Sequence, residues 1–193
     1  MTDNYLFNPY SLSPTFAGVK GAGELYFNYR KDWTGFTTSP ETMRFNTNFH
    51  IGNSMYLGAE AFMDEVDIFK RFKGQLSYTY RLQMADQQHL HFGVWGSVYQ
   101  NMINVDGIYG DPNDPLFQNM TELTKLTYNA GFSVIYINRE FYVGFGMPTA
   151  IRTKDAYLMQ SQGNFAFEQE FLFHISNTFN LNSEWQLMPF VVV

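Results

Sequence analysis

The residues of this chain best suited to bind a metal ion are two histidines placed two positions apart. His89 and His91 would share one face of a strand, because side chains alternate between the two faces of a β-strand. Imidazole nitrogens bind zinc and related metals in sites that use three or four protein ligands. The sequence offers no evident third ligand, so we interpret the pair as polar packing and predict no metal site.

Two glutamates could be interpreted as a catalytic carboxylate pair. Glu168 and Glu170 would also share a strand face. Glycoside hydrolysis needs two carboxylates across a cleft, one of them with a raised pKa, whereas neighbours on one strand are more often solvated or ion-paired. Phosphate-cradling glycine loops, nucleophile elbows and zinc-helix motifs are absent from the sequence. We therefore predict no catalytic residue and no enzymatic activity.

An acidic segment offers the oxygen ligands that calcium prefers. Asp106, Asp111 and Asp114 lie close together in the sequence, next to Pro112 and Pro115. Their spacing does not follow the Asp-x-Asp-x-Asp-Gly register of a calcium loop. The prolines more simply indicate a stiff surface loop. We predict no cofactor, and calcium binding by this loop stays an open alternative.

The composition restricts the class of protein. The 193 residues are 19% aromatic, contain no cysteine and carry a formal net charge of −6. Aromatic residues favour strands, the lack of cysteine excludes a disulfide scaffold, and the negative charge disfavours nucleic acid as a partner. No apolar run approaches the roughly 20 residues that a membrane-spanning helix needs.

Strands are the predicted elements throughout. Apolar and polar residues alternate most clearly over residues 72–84, where Leu76, Tyr78 and Tyr80 share one parity. The same period recurs in seven other segments, a ninth strand is expected to begin at residues 185–193, and we find no convincing helix. The seven segments are residues 24–30, 44–51, 55–63, 89–99, 126–136, 141–147 and 165–175.

The predicted connections alternate in length. Tight turns are expected at residues 52–54, 85–88 and 138–140, and longer connections at residues 31–40, 64–71, 100–123 and 148–163. In an up-and-down meander every second connection lies at the same end, so one end would carry turns and the other loops. This asymmetry is typical of outer-membrane β-barrels. A soluble lipid-binding β-barrel is the alternative, because alternation does not say whether the apolar face meets lipid or a core.

We predict an all-β fold, a transmembrane antiparallel up-and-down β-barrel. Residues 23–193 would form its strands. About nine strands make an odd number, whereas single-chain bacterial barrels have even numbers, so this chain is expected to be an incomplete N-terminal portion and the barrel to continue beyond residue 193. The side chains expected to face outward are Phe45, Phe49, Leu76, Tyr78, Tyr80, Phe132, Val143, Phe171 and Phe173. Those expected to face the lumen are Arg44, Asn46, Lys73, Gln75, Arg81 and Glu168.

Residues 1–22 form an arm of a different kind. The arm is rich in aromatic residues, nearly uncharged, and interrupted by Pro9 and Pro14. It carries too much apolar surface to stay solvated and too many breakers to make a strand. We predict that it plugs the lumen or crosses its periplasmic mouth, where Tyr10 and Phe16 would contact inner residues such as Trp95 or Tyr56.

The first long connection carries an Arg-x-x-Trp-x-Gly corner followed by Pro-x-Thr. This pattern resembles the PorP/SprF outer-membrane proteins of the type IX secretion and gliding machinery of the Bacteroidetes. Three further segments are similar to the family's arm, its acidic-proline loop and its Phe-Tyr-Val-Gly strand that ends in proline. The matching positions are Arg30, Trp33, Gly35, Pro40 and Thr42 in the corner, Pro14, Phe16, Ala17 and Gly18 in the arm, Asp114 and Pro115 in the loop, and Tyr142, Gly144 and Pro148 in the strand.

The resemblance implies a non-enzymatic, integral outer-membrane β-barrel. Members of this family scaffold the secretion complex, or support export and surface retention of a large secreted adhesin. The implied partners are outer-membrane lipid, other secretion and gliding proteins, periplasmic ring or lipoprotein subunits, and a secreted adhesin, with no nucleic acid. A porin or specific channel is the alternative, with a lumen lined by Arg30, Glu60, Lys73, Arg81 and Glu168.

Overall fold

The computed structural model describes residues 7–21, 23–35, 39–67, 69–103, 125–152, 170–182 and 184–193. Most of these residues belong to strands. In chain order they are β1 (Glu24–Lys31), β2 (Glu41–Gly52), β3 (Met55–Val66), β4 (Phe69–Ala85), β5 (Gln88–Ile103), β6 (Lys125–Asn138), β7 (Phe141–Arg152), β8 (Leu172–Asn177), β9 (Phe179–Asn180), β10 (Gln186–Leu187) and β11 (Phe190–Val192).

Nine of these strands form one antiparallel sheet. Its order is β1-β2-β3-β4-β5-β6-β7-β8-β11, so strands β1 to β7 each pair with the next one along the chain, and β8 pairs with β11. The predicted all-β, up-and-down architecture with nine strands is confirmed. The sheet is not closed among the described residues, because β1 pairs with β2 and β11 pairs with β8.

The two faces of the sheet differ in polarity. On β4, Leu76 is 72% exposed, whereas its neighbours Gln75 and Ser77 are 6% and 5% exposed. We call the face that carries Gln75 and Ser77 the inner face, and the face that carries Leu76 the outer face. Apolar side chains therefore lie on the exposed outer face and polar ones on the buried inner face, which is the reverse of a water-soluble sheet with a dry core.

The predicted facing of the side chains is confirmed for the described residues. Most of the predicted outward set is exposed, and Tyr78 and Val143 are partly exposed. Asn46 and Gln75 on the inner face are buried, and Arg44, Lys73 and Arg81 are half-buried; Glu168 lies outside the described residues. The exposed members of the outward set are Phe45, Phe49, Leu76, Tyr80, Phe132, Phe171 and Phe173.

The sheet curls so that its two ends approach each other. A cavity of about 190 Å³ is lined both by Glu24 of β1 and by Phe190 of β11. In a flat sheet these end strands would lie about 38 Å apart, at the usual spacing of neighbouring strands. The inner face is therefore the concave side of a strongly curved wall.

The connection between β3 and β4 is the first of two predicted connections that differ from the structure. β3 continues to Val66 and β4 begins at Phe69, so the long connection predicted at residues 64–71 is wrong. Lys70 and Glu65 sit opposite each other in the pairing and form an ion pair of 2.8 Å, which helps to extend both strands. Cross-strand pairing satisfies these charged residues within the two strands.

Pro148 does not end its strand, contrary to prediction. β7 continues through it to Arg152, and the register of β6 against β7 shifts between Ala130 and Phe132. A proline lacks the N–H group that a regular ladder needs. At a β-bulge, however, one residue is left out of the ladder pairing, so its N–H group is not required.

The ninth strand, predicted at residues 185–193, is shorter in the structure than expected. Only Phe190–Val192 joins the main sheet, and Gln186–Leu187 pairs with Phe179–Asn180 in a separate two-stranded sheet. Pro189 separates the two pieces, and proline interrupts ladder pairing. Among the described residues, no helix is long and apolar enough to cross a membrane.

Candidate functional site

The described part of the arm, residues 7–21, lies on the inner face of the sheet and contacts it through named side chains. It enters through two short 3-10 turns, Pro9–Ser11 and Pro14–Phe16. Proline at the start of each turn favours these conformations, because its φ angle is fixed and a missing N–H costs nothing there. Ser13 caps the second turn by accepting a hydrogen bond from the Thr15 amide.

Tyr10 anchors the arm to β3 and β4. Its ring packs with Tyr56, one of the two inner residues predicted to contact the arm. The Tyr10 hydroxyl lies 2.7 Å from the Ser77 hydroxyl. Burial raises the pKa of Tyr10 to about 12, so the hydroxyl stays protonated and can donate this bond at neutral pH.

The second turn is hydrogen-bonded to the middle of the sheet. The Thr79 hydroxyl donates to the Pro14 carbonyl at 3.1 Å, and a ring nitrogen of His91 lies 3.3 Å from the Thr15 carbonyl. The Ser13 hydroxyl lies 2.6 Å from that of Ser133, which also contacts the Thr15 hydroxyl. Buried polar groups on both partners are thereby satisfied, which makes the docked position specific.

Phe16 packs farther round the wall, against β6 and β8. It forms an apolar cluster with Ile135 and Ile137, and its ring centroid lies 5.0 Å from that of His174 and 6.4 Å from that of Tyr142. Phe16 was predicted to contact Trp95 or Tyr56, so its observed surroundings are different.

Glycines make room for the arm at points of close approach. A Cβ atom on Gly93 would lie 2.0 Å from the Thr15 hydroxyl oxygen, and one on Gly58 would lie 2.3 Å from the Tyr10 hydroxyl oxygen. Gly18 in the arm has a φ of 76° and faces the Tyr56 ring, where a Cβ would be 2.2 Å from the nearest ring carbon. Both surfaces are thus shaped for each other.

Lys20 fixes the end of the arm to the first strand. Its ammonium group donates to the Tyr26 hydroxyl at 2.6 Å and lies 3.0 Å from the Glu24 carboxylate. The hydrogen bond to Tyr26 raises the pKa of Lys20, so the side chain stays charged at neutral pH. The pair is partly exposed, and such pairs contribute about 0–1 kcal/mol.

The predicted corner is assembled at the opposite end of the sheet. Trp33 has a φ of 52° and is 72% exposed, and the Ser39 hydroxyl donates to its carbonyl at 3.0 Å. Arg30 forms an ion pair with Asp32 at 2.8 Å. The remaining corner positions are Pro40, whose carbonyl accepts from the Asp32 amide at 2.9 Å, Thr42, whose hydroxyl donates to Asp64 at 2.7 Å, and Gly35, which is exposed.

The other predicted positions lie in the arm, in β7 or outside the described residues. Pro14, Phe16, Ala17 and Gly18 lie in the docked arm, and Ala17 is fully buried. Within β7, Tyr142 borders the Phe16 cluster, Gly144 lies where a Cβ would be 2.2 Å from the His174 ring, and the Pro148 carbonyl accepts from Asn129 at 3.2 Å. Asp114 and Pro115 lie outside the described residues.

The candidate residues that the structure describes are not assembled into a reactive site. The rings of His89 and His91 are 6.4 Å apart, and no group of three or more potential metal-binding side chains occurs in the described part of the chain. Glu170 is exposed just before β8. Glu168 and the three aspartates of the predicted calcium loop lie outside the described residues.

Sequence reasoning missed the inner residues that hold the arm. Ser77, Ser133 and His174 were not singled out, yet each contacts the arm. A usable signal was present, because the inner positions at one height of the wall are unusually small. Direct partners across the strands include Gly58 with Ser77 and Gly93 with Ser133.

A comparison with protein families identifies one match. A family model described as Type IX secretion system membrane protein PorP/SprF matches residues 1–193. The match includes the arm, the corner and all the strands of the sheet. No curated protein and no solved structure matches the chain.

Proposed function

The chain belongs to the PorP/SprF family of type IX secretion system membrane proteins, and from this premise we propose that it forms the wall of an outer-membrane β-barrel. In this proposal the outer face meets lipid, and the docked part of the arm, residues 7–21, acts as the plug of the lumen. The family is one of secretion-system membrane proteins rather than of enzymes, which supports a non-enzymatic role.

The observation that carries the proposal is the polarity of the two faces. Leu25, Phe27 and Leu76 are each more than 60% exposed on the outer face, whereas Asn46, Thr79 and His174 are fully buried on the inner face. Lipid solvates the apolar side chains of the outer face well and the polar side chains of the inner face poorly. A strand sheet of this polarity, curled towards closure, supports residence in the outer membrane.

A filled lumen favours a scaffold over a channel. The arm occupies the inner face from β3 to β8 through Tyr10, Thr15 and Phe16. An ion path along the wall would have to displace these contacts. We therefore propose that the barrel works through its surfaces: it scaffolds the secretion complex, or supports export of a large secreted adhesin and holds it at the cell surface.

Exposed aromatic side chains at the barrel ends are the proposed contact points for protein partners. Trp33 projects from the corner at the end where β1 and β2 are joined, and Trp185 projects at the end that carries the tight turns. Aromatic anchors supply much of the binding energy of protein interfaces. The corner end would meet the secreted adhesin, and the turn end would meet periplasmic ring or lipoprotein subunits.

The proposed role predicts stable association with secretion components. We expect the tagged protein, cross-linked in its native membranes and purified, to bring down other type IX proteins and one secreted adhesin. We also expect deletion of its gene to remove that adhesin from the cell surface. An unrelated outer-membrane barrel purified identically is the control. Purification without any such partner, with unchanged surface adhesin in the deletion strain, would contradict the scaffold proposal.

A further inference from the structure

A cationic pocket lies between the arm and the inner face at the end of the sheet that carries the tight turns. Its volume is about 240 Å³, and its walls include Arg81, His89, His91 and Arg139. Gly18 and Val19 of the arm form part of the same wall, so the pocket exists in this form only when the arm is docked.

The pocket concentrates donor groups without an acidic neighbour in its wall. Two arginines and two histidines line it, and its lining contains no carboxylate. Among the described residues, neither Arg81 nor Arg139 forms an ion pair with an aspartate or a glutamate. Each arginine carries a guanidinium group that has five N–H donors and stays charged at all physiological pH values. Two arginines that line one pocket repel each other unless an anion lies between them.

The inner part of the pocket is rigid. His91 is 1% exposed, and one of its ring nitrogens is held at 3.3 Å from the Thr15 carbonyl. The Arg81 guanidinium lies 5.8 Å from the centre of the Tyr56 ring, a cation–π contact that orients the side chain. A ligand at this floor would meet an arginine whose donors are already positioned.

The outer part of the pocket is built from two linked turns. Gln87 and Arg139 have φ angles of 62° and 54°, which non-glycine residues rarely adopt. The Arg139 amide donates to the Gln87 carbonyl at 3.0 Å, so the two turns support each other. Arg139 of the second turn is exposed and lines the same pocket as Arg81 of the inner face.

We propose that this pocket binds a phosphate group. The two arginine charges match a phosphate dianion, and guanidinium groups bind phosphate oxygens with two hydrogen bonds each. A carboxylate would neutralise only one of the two charges and use fewer donors. The phosphate group comes from free phosphate or from the headgroup of a lipid with a phosphate monoester. The site is independent of the secretion role.

The test is equilibrium binding of radiolabelled inorganic phosphate to the purified full chain in detergent. We expect saturable binding by the original protein, and about tenfold or greater weakening in Arg81→Ala and in Arg139→Ala, because each removes charge-assisted hydrogen bonds. Arg139 is exposed at a turn, so its variant should fold even if that of Arg81 does not. Arg71→Ala is the matched control, since Arg71 lies towards the other end of β4 and bonds Asn101 at 3.3 Å; its binding should be unchanged.

Competition identifies the source of the phosphate. If phosphatidic acid vesicles displace the label at a lower phosphate concentration than inorganic phosphate does, the ligand is a lipid headgroup. If the vesicles do not displace the label, the ligand is free phosphate. Acetate should displace the label poorly. No saturable binding, equal binding by Arg139→Ala, or equal competition by acetate would overturn the phosphate site.

Discussion

Replacing Leu76 by arginine should destabilise the membrane-inserted protein by about 2–4 kcal/mol, the cost of an arginine at the bilayer midplane on a barrel's lipid face. Leu76 lies near the middle of the longest strand and is 72% exposed on the outer face. The measurement is the free energy of unfolding in urea, from tryptophan fluorescence, for the protein refolded into phospholipid vesicles.

Met84→Arg is the matched control for this prediction. Met84 lies on the same strand and the same face, but next to the turn at Asp86 and Gln87. The cost of a charge falls to about 0–1 kcal/mol near the membrane interface. Equal small effects of both substitutions would mean that the outer face meets water, and would contradict the membrane assignment.

Replacing Gly93 by valine should release the arm while leaving the sheet intact. A Cβ at this position would lie 2.0 Å from the Thr15 hydroxyl oxygen and 3.0 Å from the Thr15 Cα, so the backbone of the arm must move. Overpacking of this kind costs about 1–3 kcal/mol, which raises the released fraction about 5- to 150-fold. Limited proteolysis of the membrane-inserted protein measures this fraction as the rate of cleavage within residues 7–21.

Gly96→Val is the control on the same strand. Gly96 belongs to the outer face, and a Cβ there would meet nothing within 4 Å. Its proteolysis rate should equal that of the original protein. If the arm of Gly93→Val were as resistant to proteolysis as the arm of the original protein, the docked position of the Pro14–Phe16 turn would be wrong.

The faces of the sheet could be predicted because strand alternation is a local property. Once Leu76 and Gln75 were assigned opposite faces, the direct pairing of strands extended the assignment to their neighbours. The lengths of some strands could not be predicted in this way. Whether Glu65 and Lys70 lie in a loop or face each other across a ladder depends on pairing, which local pattern does not contain.

The docked position of the arm could be predicted only approximately from the sequence. Composition alone indicates that an apolar, proline-containing segment must dock, and Tyr10 does meet Tyr56. The hydrogen bond between Ser13 and Ser133 joins residues far apart in sequence, and small hydroxyl residues are common on any polar strand face. Such a contact depends on the curvature of the sheet and on the path of the turns, which the sequence pattern does not specify.

Arm docking on the polar inner face is the central claim, and disulfide trapping tests it most directly. The chain has no cysteine, so a Ser13→Cys/Ser133→Cys variant contains only the two introduced thiols. The two hydroxyl oxygens are 2.6 Å apart, close enough for the replacing sulfur atoms to bond after a small adjustment. Ser13→Cys/Ser97→Cys is the control, because Ser97 bonds Gln75 rather than the arm.

The measurement is gel mobility under non-reducing conditions after mild oxidation of native membranes. The docked arm predicts rapid, nearly complete formation of a loop between residues 13 and 133 that migrates faster than the reduced chain. The control pair should remain reduced. Absence of this bond, together with free labelling of Cys at position 13 by a membrane-impermeant maleimide, would contradict the account.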